Sequence, residues 1–260
     1  MLRNYSMTPV IGMTMTNKNN FKIVAARVAG RSHRNCNLPC QDFYQCALGK
    51  NLIAVLSDGA GSAKYGNIGA RTLCSKLCDI LKNADFDHIE TEIKNAIATA
   101  RQHLIIHRFN QTKNEIGLED FAATLVGVVY HQGKGIFFHI GDGAALALHP
   151  NNELNISRPE NGNFSCETFF FTQNFWKNNL RFTRFAHPEV LFLMSDGVTS
   201  FAFQPDFQNI EKKFIIPINN FLLAEPDCSK AAKALTNTLN TPRAQKLNPD
   251  DKTLVWIKVA

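Results

Sequence analysis

Residues 121–130 are apolar on both of their alternating faces, and a strand with that pattern has to be covered on both sides. Residues 190–194 form a second strongly apolar run and residues 52–56 a third. Further apolar or alternating runs predict strands at 21–29, 43–48, 135–140, 144–148 and 253–259, with weaker ones at 168–171 and 180–185. Helices come as an early pair. Ala70, Leu73, Cys74, Leu77, Ile80 and Leu81 share one 3.6-residue face, as do Ile89, Ile93, Ala96, Ile97, Ala100 and Leu104. A later helix is expected at 230–239. This order lacks the strand–helix alternation of a doubly wound sheet and predicts an α+β fold of stacked antiparallel sheets, a β-sandwich with helices outside.

Of the 260 residues, 45% are hydrophobic and 19% charged, which supplies a substantial core and excludes a disordered chain. Residues 1–20, rich in Met, Thr and Asn, read as a flexible arm without the features of a secretory signal. Residues 21–260 read as one domain. Nothing approaches a membrane-spanning length. Seven cysteines, odd in number and without a C-x-x-C pair, fit buried thiols in a reducing cytoplasm better than disulfides or a zinc site. A net charge of +6 without a basic run of five residues fits an anionic substrate and argues against a nucleic-acid surface.

Three aspartates stand where an apolar strand gives way to glycine: Asp58 after 52–56, Asp142 after 136–140 and Asp196 after 190–194. A strand end holds a side chain rigidly, and the glycine that follows lets the backbone turn tightly and an ion approach. One Asp-Gly pair most often only turns the chain. Three, with Asp250-Asp251 opening the last strand, point to a site for Mg²⁺ or Mn²⁺, for which carboxylate oxygens are fitting ligands and no His or Cys cluster competes. His139 reads as a structural histidine and the twenty phenylalanines as core filling.

The short motifs run in the order Pro39-Cys40-Gln41-Asp42, Ser57-Asp58-Gly59-Ala60-Gly61-Ser62, Asp120-Phe121-Ala122-Ala123-Thr124, Gly141-Asp142-Gly143, Ser195-Asp196-Gly197 and Asp250-Asp251-Lys252-Thr253. In that order they resemble the metal-dependent type 2C serine/threonine protein phosphatases, especially compact bacterial members, from about Phe21 to the C-terminus. The resemblance implies a four-layer α-β-β-α fold, with pairs of helices flanking the sandwich and two divalent ions, Mn²⁺ or Mg²⁺, at one end. Carried over by position, Asp58 bridges both ions and Gly59 offers its carbonyl to one. Asp196 and Asp250 complete the second ion's shell, Asp42 acts on the first directly or through water, and Asp120 holds a third, looser ion. Asp142 fits a structural role at least as well as a ligand role. The implied chemistry is in-line attack on phosphorus by an ion-activated water, with no protein nucleophile. Asp42, Asp58, Asp196 and Asp250 are then the catalytic set.

Three positions depart from the family pattern. Gln41 stands where Glu is common, Ala60 where some members have His, and Asn37 where a phosphate-binding Arg is common; Arg31, His33 and Arg34 are the expected substitutes in the same loop. The expected function is dephosphorylation of phosphoserine and phosphothreonine in proteins by a cytoplasmic monomer that opposes a serine/threonine kinase. A small-molecule phosphoesterase is one alternative. A catalytically weak domain that binds phosphoproteins without turnover is another, against which the intact aspartates speak.

Overall fold

The computed structural model describes residues 21–112, 117–151, 153–160 and 168–259; the arm expected at 1–20 lies outside them. One sheet runs in the order β2 (Phe43–Leu48), β3 (Leu52–Ser57), β4 (Leu125–His131), β5 (Lys134–Ile140) and β8 (Arg181–Ala186). The other runs β1 (Lys22–Val28), β10 (Lys252–Lys258), β9 (Val190–Met194), β6 (Ala144–Leu148) and β7 (Leu154–Ser157). Neighbouring strands pair antiparallel throughout.

The doubly apolar strands divide their side chains between two interfaces, as a period of two requires. In β3, Leu52, Ala54 and Leu56 meet the opposite sheet, while Ile53 and Val55 pack under α2 (Gly66–Leu81) and α3 (Ile89–Thr112). In β9, Leu191 and Leu193 face the inter-sheet core, while Val190, Phe192 and Met194 pack under α4 (Asp196–Ala202), α5 (Lys212–Ala224) and α6 (Cys228–Leu239). Three apolar clusters thus fill the three interfaces of a four-layer α-β-β-α sandwich. Two short helices, α1 (Arg31–Asn35) and α7 (Pro242–Leu247), lie outside this scheme.

Two expected strands differ. The run 121–130 becomes strand only at Leu125, because residues Leu118–Phe121 form a 3-10 turn that sends Phe121 into the helix-side core. Residues 168–171 give a single bridge at Thr168 and then turn. There Gln173 satisfies the backbone locally, its side chain accepting from Phe170 N at 3.1 Å and its own N donating to Phe170 O at 3.2 Å.

Register places one end of the sandwich. Phe43 faces Ser57, Leu125 faces Ile140, Ala144 faces Met194, Leu254 faces Met194 and Val28 faces Lys252. The ends of β1, β3, β5 and β9 therefore gather with the starts of β2, β4, β6 and β10.

Candidate metal centre

At that end the aspartates assemble from segments far apart in sequence. Thr253, fully buried at the start of β10, ties the two sheets together: its Oγ1 donates to Asp42 Oδ2 at 2.6 Å and its N donates to Ser195 Oγ at 2.9 Å. Thr124 fixes Asp58. Asp58 N donates to Thr124 Oγ1 at 3.1 Å, Thr124 N donates to Asp58 O at 2.8 Å, and Ser57 Oγ donates to Thr124 O at 2.6 Å.

The glycines after the aspartates do different work from that expected. None of Gly59, Gly143 and Gly197 has a left-handed backbone; in this region that conformation belongs to Gly141, with φ 106, before Asp142. A Cβ on Gly59 would stand 2.5 Å from the Gly66 carbonyl carbon, and one on Gly197 would overlap Asp251 O. These positions need glycine so that backbone can pass against backbone, which is what lets carboxylates from different elements converge.

The carboxylates crowd. Burial first, then the charges of Asp42 and Asp196, push the Asp58 carboxyl well above the usual range. Burial and the Asp251 charge raise Asp42 to about 6; burial, then Asp142 and Asp250, raise Asp196 to about 7. Asp142, ambiguous from sequence, belongs to this group: its Oδ2 accepts from Thr168 Oγ1 at 2.7 Å, and burial, with a smaller contribution from Asp250, raises it too. Asp42 Oδ1 and Asp196 Oδ1 are buried without a hydrogen-bond partner. Orphaned anionic oxygens are costly unless something cationic meets them, and their chemistry suits hard divalent ions. Among the described residues no three His, Cys, Asp or Glu side chains stand ready at ligand spacing.

Asp250 and its neighbours form the outer wall. Asp250 Oδ1 accepts from Asp251 N at 2.8 Å. Asp251, buried, accepts from Gly30 N at 2.7 Å and Gln41 N at 2.5 Å, and its Oδ2 lies 2.9 Å from His33 Nδ1. His33, expected at the substrate, thus has its ring turned to Asp251. Lys252, also buried, donates from Nζ to Asn248 O and Asp250 O, both at 2.6 Å. Arg34 donates to Asn240 Oδ1 at 3.1 Å, and Arg31 is exposed on α1. The Gln41 amide, oriented by the two carbonyls it faces, donates to Gly59 O at 2.9 Å and Ala60 O at 3.1 Å. The carbonyl that the resemblance assigns to an ion therefore carries a hydrogen bond. Asp120 lies in the 3-10 turn, its Oδ2 accepting from Gly117 N at 3.0 Å. His139 is buried, with Nδ1 3.1 Å from Ser157 Oγ and Nε2 without a partner, and burial, then Arg181, hold its pKa well down.

The family model for protein phosphatase 2C matches residues 29–247. The chain is 25% identical over 249 residues to serine/threonine-protein phosphatase 3 of Escherichia coli strain K12, covering 90% of this chain and 97% of that protein. Its fold is similar to that of serine/threonine phosphatase Stp1 from Staphylococcus aureus, with TM-score 0.63, 14% identity and coverage of 95% and 98%. It is also similar to RsbX in complex with magnesium, with TM-score 0.59, 14% identity and coverage of 96% and 100%.

Proposed function

The chain belongs to the protein phosphatase 2C family, and from that premise we propose how it works. It is a metal-dependent serine/threonine phosphoprotein phosphatase, a phosphoric monoester hydrolase. The observation that supports the mechanism best is the group Asp42, Asp58 and Asp196, crowded together and carrying two buried, orphaned oxygens at the sandwich end. In this reading two Mn²⁺ or Mg²⁺ ions bind there. Asp58, Asp196 and Asp250 would hold them, with Asp42 acting directly or through water. Gly59 O would contribute the lone pair that Gln41 leaves, and Asp120 would hold a third, looser ion.

When bound, the ions supply a nucleophile from water and offset charge on the phosphoryl oxygens. The protein's part is positional. Thr253 fixes Asp42, Thr124 fixes the Asp58 backbone, and Ser195 anchors the start of α4 that carries Asp196. No cysteine is given a role: burial pushes the Cys46 thiol up to about 12 and raises Cys74 and Cys78 as well, so these are not thiolates at neutral pH.

Residues 21–260 act as one domain, a monomer in the cytoplasm whose substrates are proteins phosphorylated by a serine/threonine kinase. Among the described residues no helix is long and apolar enough to cross a membrane. The test is hydrolysis of a phosphothreonine peptide beside p-nitrophenyl phosphate, with Mn²⁺ or Mg²⁺ and with EDTA. Metal-dependent release of phosphate from the peptide is expected. Full activity in excess EDTA, or turnover of the small ester alone, overturns the reading.

A further inference from the structure

Two guanidinium groups converge on one aromatic ring beside the aspartates. Arg27, near the end of β1 and directly across from Thr253, donates from Nη1 to Asp42 O at 2.8 Å, and its Cζ lies 5.6 Å from the centre of the Phe43 ring. Arg71, exposed in the second turn of α2, has its Cζ 5.0 Å from the same ring. Neither is in an ion pair among the described residues. A guanidinium over an aromatic face is held in place while the N–H groups at its edge stay available to a further acceptor.

Asp42 separates this pair from the reaction centre. Its carboxylate faces Thr253 and Asp58, whereas its carbonyl faces Arg27. An anion held by Arg27 and Arg71 therefore meets the backbone side of Asp42, away from the carboxylate that Thr253 holds. A group there is set apart from the carboxylates that serve the reacting phosphate and suits an anionic side chain of the substrate flanking the phosphorylated residue. We infer that Arg27 and Arg71, with Phe43 as their platform, form a subsite for an acidic residue flanking the phosphorylated residue of the substrate, so that acidic phosphopeptides are preferred. This rests on the phosphoprotein-phosphatase reading above.

The experiment compares kcat/KM for three phosphothreonine peptides whose flanking residues are Glu, Ala or Lys, with p-nitrophenyl phosphate alongside, in wild type, Arg71→Gln and Arg71→Glu. Wild type is expected to favour the Glu peptide over the Ala peptide by about tenfold, mainly in KM, with the preference shrinking as salt is raised. Arg71→Gln should remove most of that preference, and Arg71→Glu should turn it toward the Lys peptide. An unchanged order of peptides in Arg71→Glu overturns the inference. So does an equal fall for all three peptides and the small ester, which would mean that Arg71 serves the reacting phosphate or the fold. Wild type that hydrolyses phosphopeptides without regard to flanking charge refutes the subsite alone, whereas wild type that hydrolyses no phosphopeptide refutes the function reading and the subsite together.

Discussion

The crowding of Asp42, Asp58 and Asp196 makes the metal-free fold sensitive to pH in a direction opposite to that of ordinary salt-bridged carboxylates. An acid whose pKa is raised in the fold keeps its proton where the unfolded chain has already released it, so the native state is progressively undermined as pH rises through the folded value. Asp196 moves from 3.8 to about 7 and Asp42 from 3.8 to about 6. At about 1.4 kcal/mol per pH unit, going from pH 5.5 to pH 8 costs about 2 kcal/mol through Asp196 and somewhat under 1 through Asp42, in all about 3 kcal/mol. The buried His139 works the other way. Its pKa is held well below 6.5, so the same rise in pH returns at most about 1.4 kcal/mol, and with Asp58 raised as well a net fall of at least about 1.4 kcal/mol remains. For a chain of this size that is at least about 3–6 °C in melting temperature. The assay is urea unfolding in EDTA at the two pH values, with Asp196→Asn beside wild type. The variant loses one of the raised carboxyls, so its stability should fall less with pH than that of wild type. Identical pH dependence in the two proteins would refute the reasoning.

Changing Asp58 or Asp196 to Asn should leave the protein folded but cut Mn²⁺ affinity, measured by calorimetry, and lower phosphopeptide turnover by more than about 100-fold; near wild-type rates in limiting Mn²⁺ would remove both from the ligand set. Gln41→Glu replaces the amide that donates to Gly59 O and Ala60 O with an acceptor and a charge, so Mn²⁺ should bind about tenfold tighter in calorimetry. Weaker or unchanged binding would mean that the Gly59 carbonyl is not limiting. Gly197→Ala drives a Cβ into Asp251 O and should cost about 1–3 kcal/mol in urea unfolding, with a loss of metal affinity as α4 shifts; a neutral result would show that the contact yields freely.

The layers were legible because burial on both faces leaves an unbroken apolar run, as at 52–56 and 190–194, and such strands exist only between covering layers. Helix α5 was not legible. Its sequence holds Pro217 in the interior, where proline removes a backbone donor and argues against a helix, yet Ile215 and Leu222 on either side are buried in the outer cluster and packing prevails over propensity. The strand start misplaced at Phe121 has a similar cause. Apolar character alone cannot distinguish a residue pairing in a sheet from one whose ring is swung into the helix-side core.

At the site, the aspartates could be read because each ends or opens an apolar strand, a local signal. Their supports could not. Thr253 acts on Asp42 across 211 positions of sequence and Asp251 on Gly30 across 221, and Arg27 meets Phe43 only because β1 and β2 are the edge strands of two different sheets. Those relations are products of topology, which a pattern along the chain does not encode. The same topology explains why the carboxylates tolerate one another. Each is fixed from behind by a neutral or cationic donor: Thr253 on Asp42, Thr124 at the Asp58 backbone, Thr168 on Asp142, and Lys252 on the Asp250 carbonyl. The supports restrain the backbone and some oxygens but leave Asp42 Oδ1 and Asp196 Oδ1 unmatched. A structural cluster of buried acids would be expected to satisfy every oxygen, since an unsatisfied one is destabilising without return. Unmatched oxygens backed by rigid supports are instead the arrangement required where a cation must enter and leave, and this is the physical reason for reading the cluster as a metal centre rather than a set of turns.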